Sequence, residues 1–154
     1  MLSMGIIDSA VIANFNKYQG QPIMQSTLEQ RNIDIVRNFC ADWSKCANQA
    51  LLPYFTEDGV YHNMPWTPLK GHQAIGDFLA PFWPALDSLV FEVLNIAANG
   101  KIVFTERVDH FRFKNGGKLD LPVNGIFELT EDGKIAHWRE YWDLADWVRQ
   151  GGPT

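Results

Sequence analysis

The sequence predicts an α+β fold in which helices pack on one face of a strongly curved sheet. Three observations predict it. Helix-period apolar patterns occupy the first half of the chain, and strand-like runs occupy the second. The runs are separated by "NG", "NGG" and "EDG", which are hairpin turn signals. Finally, 154 residues at 46% hydrophobic suffice for one domain with a real core. Helices first and an antiparallel meander second give the α+β arrangement.

Residues 1–25 read as a loosely structured extension, 26–149 as a single domain and 150–154 as a tail. The spacing of Ile33, Ile35, Val36, Phe39 and Trp43 predicts a helix over 26–42. A second, short helix is predicted over 45–55, "KCANQALLPYF". "EDG" at 57–59 reads as a turn and "VYHNM" as a short strand, followed by the loop "PWTPLKG". A third helix follows Gly71, with Ile75, Phe78, Leu79 and Phe82 as its apolar side. "SLVFEVLNIAA", "KIVFTERVDHFRF", "KLDLPVNGIFELT" and "KIAHWREYWDL" are the four strands, and "LADWVR" is a closing helix.

Composition excludes several classes. Net charge is −5 and the basic residues form no run, so neither nucleic acid nor an anionic membrane is an expected partner. No apolar stretch reaches the roughly eighteen residues of a spanning helix. The first twenty residues lack the basic start and apolar block of a signal peptide. Cys40 and Cys46 suit neither a disulfide framework nor a metal site, so reduced thiols and a cytoplasmic location are expected. Aromatic content is 13%, which favours a deep apolar cavity or a large interface.

The stretch "TERVDHFRF" concentrates the chemistry, with five ionisable groups on one aromatic strand. Its two alternating sets are both mixed, so the pattern does not say which faces inward. It also implies that both sides of the sheet are partly covered, as in a dimer through the convex face. Arg107 and Asp109 are two apart and share a face. So do Tyr61 and Asn63, and so do Trp138, Glu140 and Trp142. If these faces line one concavity, five polar groups converge among Phe111, Leu121, Val123, Trp138, Trp142 and the aromatics of the third helix. That is the usual form of a ligand site. Glu106 and Arg112 would then pair across the opposite face, and the four histidines would lie at the surface or an interface. No metal spacing and no nucleophile elbow is present.

One guanidinium between two buried carboxyls offsets only one negative charge. Burial and the like-charged neighbour favour a proton on the other carboxyl. A carboxylic acid beside a carboxylate is an acid and base pair. Opening an epoxide with water needs such a pair, because the ring oxygen must gain a proton while water loses one. Tyr61 and Asn63 would hold that water. Spacing alone leaves a purely structural Arg107–Asp109 pair open.

"FTEDGVYHNMPWTPLKG", "VFTERVDHFRF" and "VNGIFELTEDGKIAHWREYWDL" resemble the limonene-1,2-epoxide hydrolase family over roughly residues 28–148. The resemblance implies a cone-shaped α+β fold with a curved mixed sheet and helices on its concave side. That fold is shared with ketosteroid isomerase, scytalone dehydratase and nuclear transport factor relatives. It also implies a homodimer, no metal or organic cofactor, and one-step hydrolysis of a small-to-medium apolar epoxide, cyclic or terpene-like. The family's acid falls on Asp109, its bridging arginine on Arg107, and its water-holding pair on Tyr61 and Asn63. Its base is an aspartate, which here is Glu140, one methylene longer. Carried over by position as pocket residues are Leu79, Phe111, Leu121, Val123 and Trp142, with Gly125 and Ala136 as sources of room. Two other classes stay open: an isomerase or polyketide cyclase using a single carboxylate, and a non-catalytic binding module with a wholly apolar pocket.

Overall fold

The computed structural model describes residues 26–152. The predicted extension over 1–25, and the last two residues of the tail, lie outside the described residues.

The first helix, α1 (Thr27–Asp42), begins at Ser26. The Ser26 hydroxyl accepts from the Glu29 backbone N–H, and the Glu29 carboxylate accepts from the Ser26 N–H. This reciprocal box satisfies donors that a helix start leaves orphaned. The helix buries Ile33, Val36, Phe39 and Cys40 against the sheet. Phe39 lies edge-on to Trp43, Tyr54, Phe55, Phe127 and Trp138, so one ring ties the helix to three strands and the following turns.

The predicted helix over 45–55 is broken. Cys46 takes a left-handed conformation and Ala47 is extended, so only α2 (Asn48–Leu51) is helical, followed by a 3₁₀ turn containing Pro53. The strand also starts earlier than expected. β1 (Phe55–Asn63) spans "EDG", which falls in an irregularity of its register between Phe55 and Val60. Its short partner β2 (Leu69–Lys70) leads into α3 (Gly71–Leu79).

The remaining strands are β3 (Leu86–Asn99), β4 (Ile102–Phe113), β5 (Lys118–Leu129) and β6 (Ile135–Trp142), closed by α4 (Leu144–Arg149). The sheet order is β2-β1-β6-β5-β4-β3. β1 and β6 are parallel and every other pair is antiparallel. The sheet is therefore mixed, and its inward side chains meet α1.

Strand alternation resolves which side of β4 faces in. Val103, Thr105, Arg107 and Asp109 are buried, whereas Phe104 is exposed. On β5 the inward set is Leu119, Leu121, Val123, Gly125, Phe127 and Leu129. On β6, Trp138 and Glu140 point inward and Tyr141 outward. The outer face leaves Val90, Leu94, Phe104 and Tyr141 exposed.

Glu106 and Arg112 do not pair. Glu106 accepts from Asn95, and Arg112 binds Asp120. His110 bridges Glu92 and Asp120 on that outer face, and these hydrogen bonds, to Asp120 first, raise its pKa. Among the described residues, no helix is long and apolar enough to cross a membrane.

Candidate active site

The site follows from three strand registers. Thr105 on β4 lies opposite Gly125 on β5, and Gly125 lies opposite Glu140 on β6. β6 is parallel to β1, with Tyr61 beside Trp138 and Asn63 beside Glu140. All these side chains fall on the inward face. Three strands thus bring Arg107, Asp109, Glu140, Tyr61 and Asn63 to one place, with Gly125 of β5 between them.

Arg107 is the centre. Its Nε donates to Asp109 Oδ1 at 2.7 Å and its Nη2 to Asp109 Oδ2 at 3.2 Å. Nη2 also forms an ion pair with Glu140 Oε1. Nη1 donates to Thr105 Oγ1 at 3.4 Å. Its guanidinium carbon sits 4.4 Å from the centroid of the Phe91 ring and 5.7 Å from that of Trp138, so cation–π attraction supports it from the apolar wall. The guanidinium has no contact with solvent: the Arg107 side chain is 0% exposed, against 5% for Asp109 and 6% for Glu140.

Burial raises the pKa of Asp109, against the opposing pull of Arg107. This favours the protonated carboxyl. Burial also works against the charge on Arg107, but the interactions with Asp109, joined by Cys40 and Tyr61, together outweigh it and hold the guanidinium more firmly protonated. The Tyr61 hydroxyl is buried, its pKa is pushed far up by desolvation, and it stays a phenol. It donates to Glu140 Oε2 at 2.7 Å. Glu140 is thereby gripped on both oxygens, one by Arg107 and one by Tyr61.

Gly125 has a steric role. A Cβ there would stand 2.6 Å from Arg107 Nη1 and 2.7 Å from Thr105 Oγ1. The room expected from Gly125 thus goes to the guanidinium and not to the cavity, and Ala136 lies off the cavity too. Gly125→Ala is expected to push Arg107 out of its double bridge. The expected cost is about 1–3 kcal/mol of stability, as for overpacking elsewhere, with a loss of turnover. Urea melts and steady-state rates check it, and full activity in the Gly125→Ala protein would contradict the packing argument.

Asp109, Glu140, Tyr61 and Asn63 open onto one cavity. Leu79, Phe111, Leu121, Val123 and Trp142 line it, at the positions expected of pocket residues. Trp138 does not. It is fully buried one layer deeper, stacked on Tyr61 with centroids 4.3 Å apart and planes at 14°, and on Phe127. Its place is behind the site, as the wall that fixes Tyr61.

The cavity wall also takes in Phe78, one of the third-helix aromatics expected there, together with residues the sequence did not assign to it. Trp43 and Phe91 stack at one end, Trp66 and Phe78 stand together beside Tyr61 and Trp142, and Trp147 comes from α4. Trp43 and Phe78 are legible as apolar helix or near-helix positions. Trp147 carries no such signal, because only the fold returns α4 to the cavity. Asp143, the other carboxylate of the last strand's segment, is occupied as the N-cap of α4, accepting from Ala145 and Asp146. Among the described residues no His, Cys, Asp and Glu side chains are grouped to hold a metal ion.

A curved mixed sheet holding an acid–arginine–acid trio at an apolar cavity defines a class of protein. The architecture is that of ketosteroid isomerase-like and SnoaL-like proteins. Within that class, residues 30–151 match the family described as limonene-1,2-epoxide hydrolase catalytic domain, and the chain belongs to it.

Epoxide hydrolase EphG of Mycobacterium tuberculosis is 30% identical over 90 residues, which span 58% of this chain and 58% of that protein. The structure of an M. tuberculosis LEH-like epoxide hydrolase superposes with a TM-score of 0.69 at 24% identity, covering 79% of this chain and 90% of that one. The epoxide hydrolase/cyclase-like enzyme SalBIII, described for pyran ring formation in the polyether salinomycin, gives 0.68 at 20% identity over 76% of this chain and 94% of that one. At these identities the two structural likenesses carry the fold alone.

Proposed function

We propose that the protein is an epoxide hydrolase that adds water to a small, compact, apolar epoxide to give a vicinal diol in one step. The observation that carries this reading is the Arg107 guanidinium bridging Asp109 and Glu140 at the wall of one apolar cavity. A single-carboxylate isomerase has no use for an arginine between two acids, and a binding module has no use for either acid in the pocket.

In the proposed reaction, Asp109 gives its proton to the ring oxygen as the C–O bond breaks. Glu140 takes a proton from water as the water oxygen bonds to the ring carbon from the opposite side. The arginine carries one positive charge throughout, so the trio's net charge stays the same as one carboxyl loses a proton and the other gains one. The electrostatic gain comes from having this charge preorganised in a dry site. Regeneration returns a proton from Glu140 to Asp109 through solvent.

The cavity bounds the substrate. The space open to the centres of water-sized bodies is about 60 Å³. Its aromatic and aliphatic walls suit a small apolar epoxide.

The same reading makes the protein a homodimer through the outer face of the sheet, where Val90, Leu94, Phe104 and Tyr141 are exposed. Cys40 and Cys46 are free thiols, which suits a reducing cytoplasm.

The deciding experiment offers the protein cyclohexene oxide and styrene oxide in H₂¹⁸O. The expected product is a diol carrying one ¹⁸O, with no label in the protein after a single turnover. Label appearing first on Asp109 or Glu140 would mean an ester intermediate and would remove the one-step mechanism. No diol from any epoxide small enough for the cavity would remove the hydrolase reading.

A further inference from the structure

We propose that Trp142 is a positioning residue: its indole N–H locks the Asn63 amide so that Asn63 presents its NH₂, a donor, to the attacking water. This rests on the hydrolase reading above.

Trp142 Nε1 donates to Asn63 Oδ1 at 2.5 Å. An indole nitrogen can only donate, so the amide atom it meets must be the oxygen. The amide is thereby oriented by chemistry. Its NH₂ is turned away from Trp142, and among the described residues it has no protein acceptor. Asn63 lines the cavity beside Tyr61 and Glu140.

Tyr61 has one hydroxyl hydrogen, and it is spent on Glu140 Oε2. The longer glutamate reaches the phenol directly, so Tyr61 steadies the base and does not donate to the water. The attacking water aims one lone pair at carbon and surrenders one hydrogen to Glu140. Its other lone pair needs a donor if the attacking pair is to be aimed. Only Asn63 NH₂ remains among the polar groups of this corner to supply it. Tyr61 and Asn63 thus divide the work: one orients the base, the other orients the nucleophile. Trp142 acts through the second.

Trp142→Phe keeps a ring against the cavity and deletes the N–H. It is expected to lower kcat about tenfold while KM moves by less than about twofold, the signature of lost orientation with binding retained. In an Asn63→Ala background the same substitution is expected to change nothing further, since its route is gone. An equal loss in both backgrounds, or unchanged kcat in Trp142→Phe, would overturn the inference.

The contact has a readout besides activity. In ¹⁵N-labelled protein the Trp142 indole proton, identified by its disappearance in Trp142→Phe, is expected to move upfield in Asn63→Ala. An indole proton indifferent to that substitution overturns the inference whether or not the hydrolase reading stands. A wild type that opens no epoxide overturns the hydrolase reading and leaves the indole shift unaffected.

Discussion

Asp109→Asn is expected to reduce epoxide turnover by about 10²- to 10⁴-fold, the range for loss of a positioned general acid, while leaving the protein at least as stable as wild type at neutral pH. Asparagine keeps the shape, and its carbonyl oxygen can still accept from Arg107 Nε; its NH₂ takes the place of Oδ2, so Nη2 keeps Glu140 alone as its acceptor. What asparagine lacks is a proton to give. The stability half of the expectation comes from the sign of the pKa shift. Burial raises the Asp109 pKa in the folded protein. In the unfolded chain it sits near 3.9. The folded state therefore binds the proton more tightly, and the group's contribution to stability is full below about 3.9 and is lost as pH rises through the folded value. Asparagine is neutral at every pH and escapes that loss. Melting curves between pH 4 and 8, run beside kcat, separate the two effects. A variant that loses activity because it is less stable at pH 7 would contradict this account, and one that retains full activity would take Asp109 out of the reaction.

Arg107→Met tests the other side of the trio. Methionine fills much of the space of the arginine stem and offers no charge or donor. The change leaves two buried carboxyl groups facing each other without their cation, and it discards the contacts with Phe91 and Trp138. Breaking a buried ion pair by removing one partner costs about 3–5 kcal/mol, here equivalent to a fall in Tm on the order of 10 °C or more. The loss is expected to shrink as pH falls and the carboxyls take up protons, and to shrink again when Asp109→Asn is added. Differential scanning calorimetry at pH 5 and pH 8 checks both. An Arg107→Met protein as stable as wild type at pH 8 would show that the carboxyls do not depend on this guanidinium.

Legibility from sequence divides along local and non-local lines. The four long strands of the second half are readable because turn dipeptides bound them and each is strongly apolar. The Arg107–Asp109 pair is readable for a related reason: residues two apart on a strand share a face whatever the rest of the fold does. β1 is not legible over "EDG", because local turn chemistry argues for a break there. Pairing with β6, about eighty residues away in sequence, holds the strand at Phe55 and again from Val60 onward, and "EDG" is carried between them as an irregularity in the ladder. The break at Cys46 and Ala47 within the predicted 45–55 helix likewise has no local signal strong enough to place it.

By itself, then, the sequence determined that this chain makes a helix-covered curved sheet, and which polar side chains share a face as candidates for chemistry. These follow from periodicity, turns and the two-residue repeat of a strand. The tertiary structure decided which face of β4 turns inward, since both of its faces are mixed and only contact with α1 breaks the tie. It decided that Glu140 reaches Arg107 across the gap left by Gly125, that Trp138 supports the site from behind, and that Trp142 holds Asn63. Each of those depends on the register between strands far apart in the chain, and register is set by the summed packing of whole faces, which no short stretch of residues encodes.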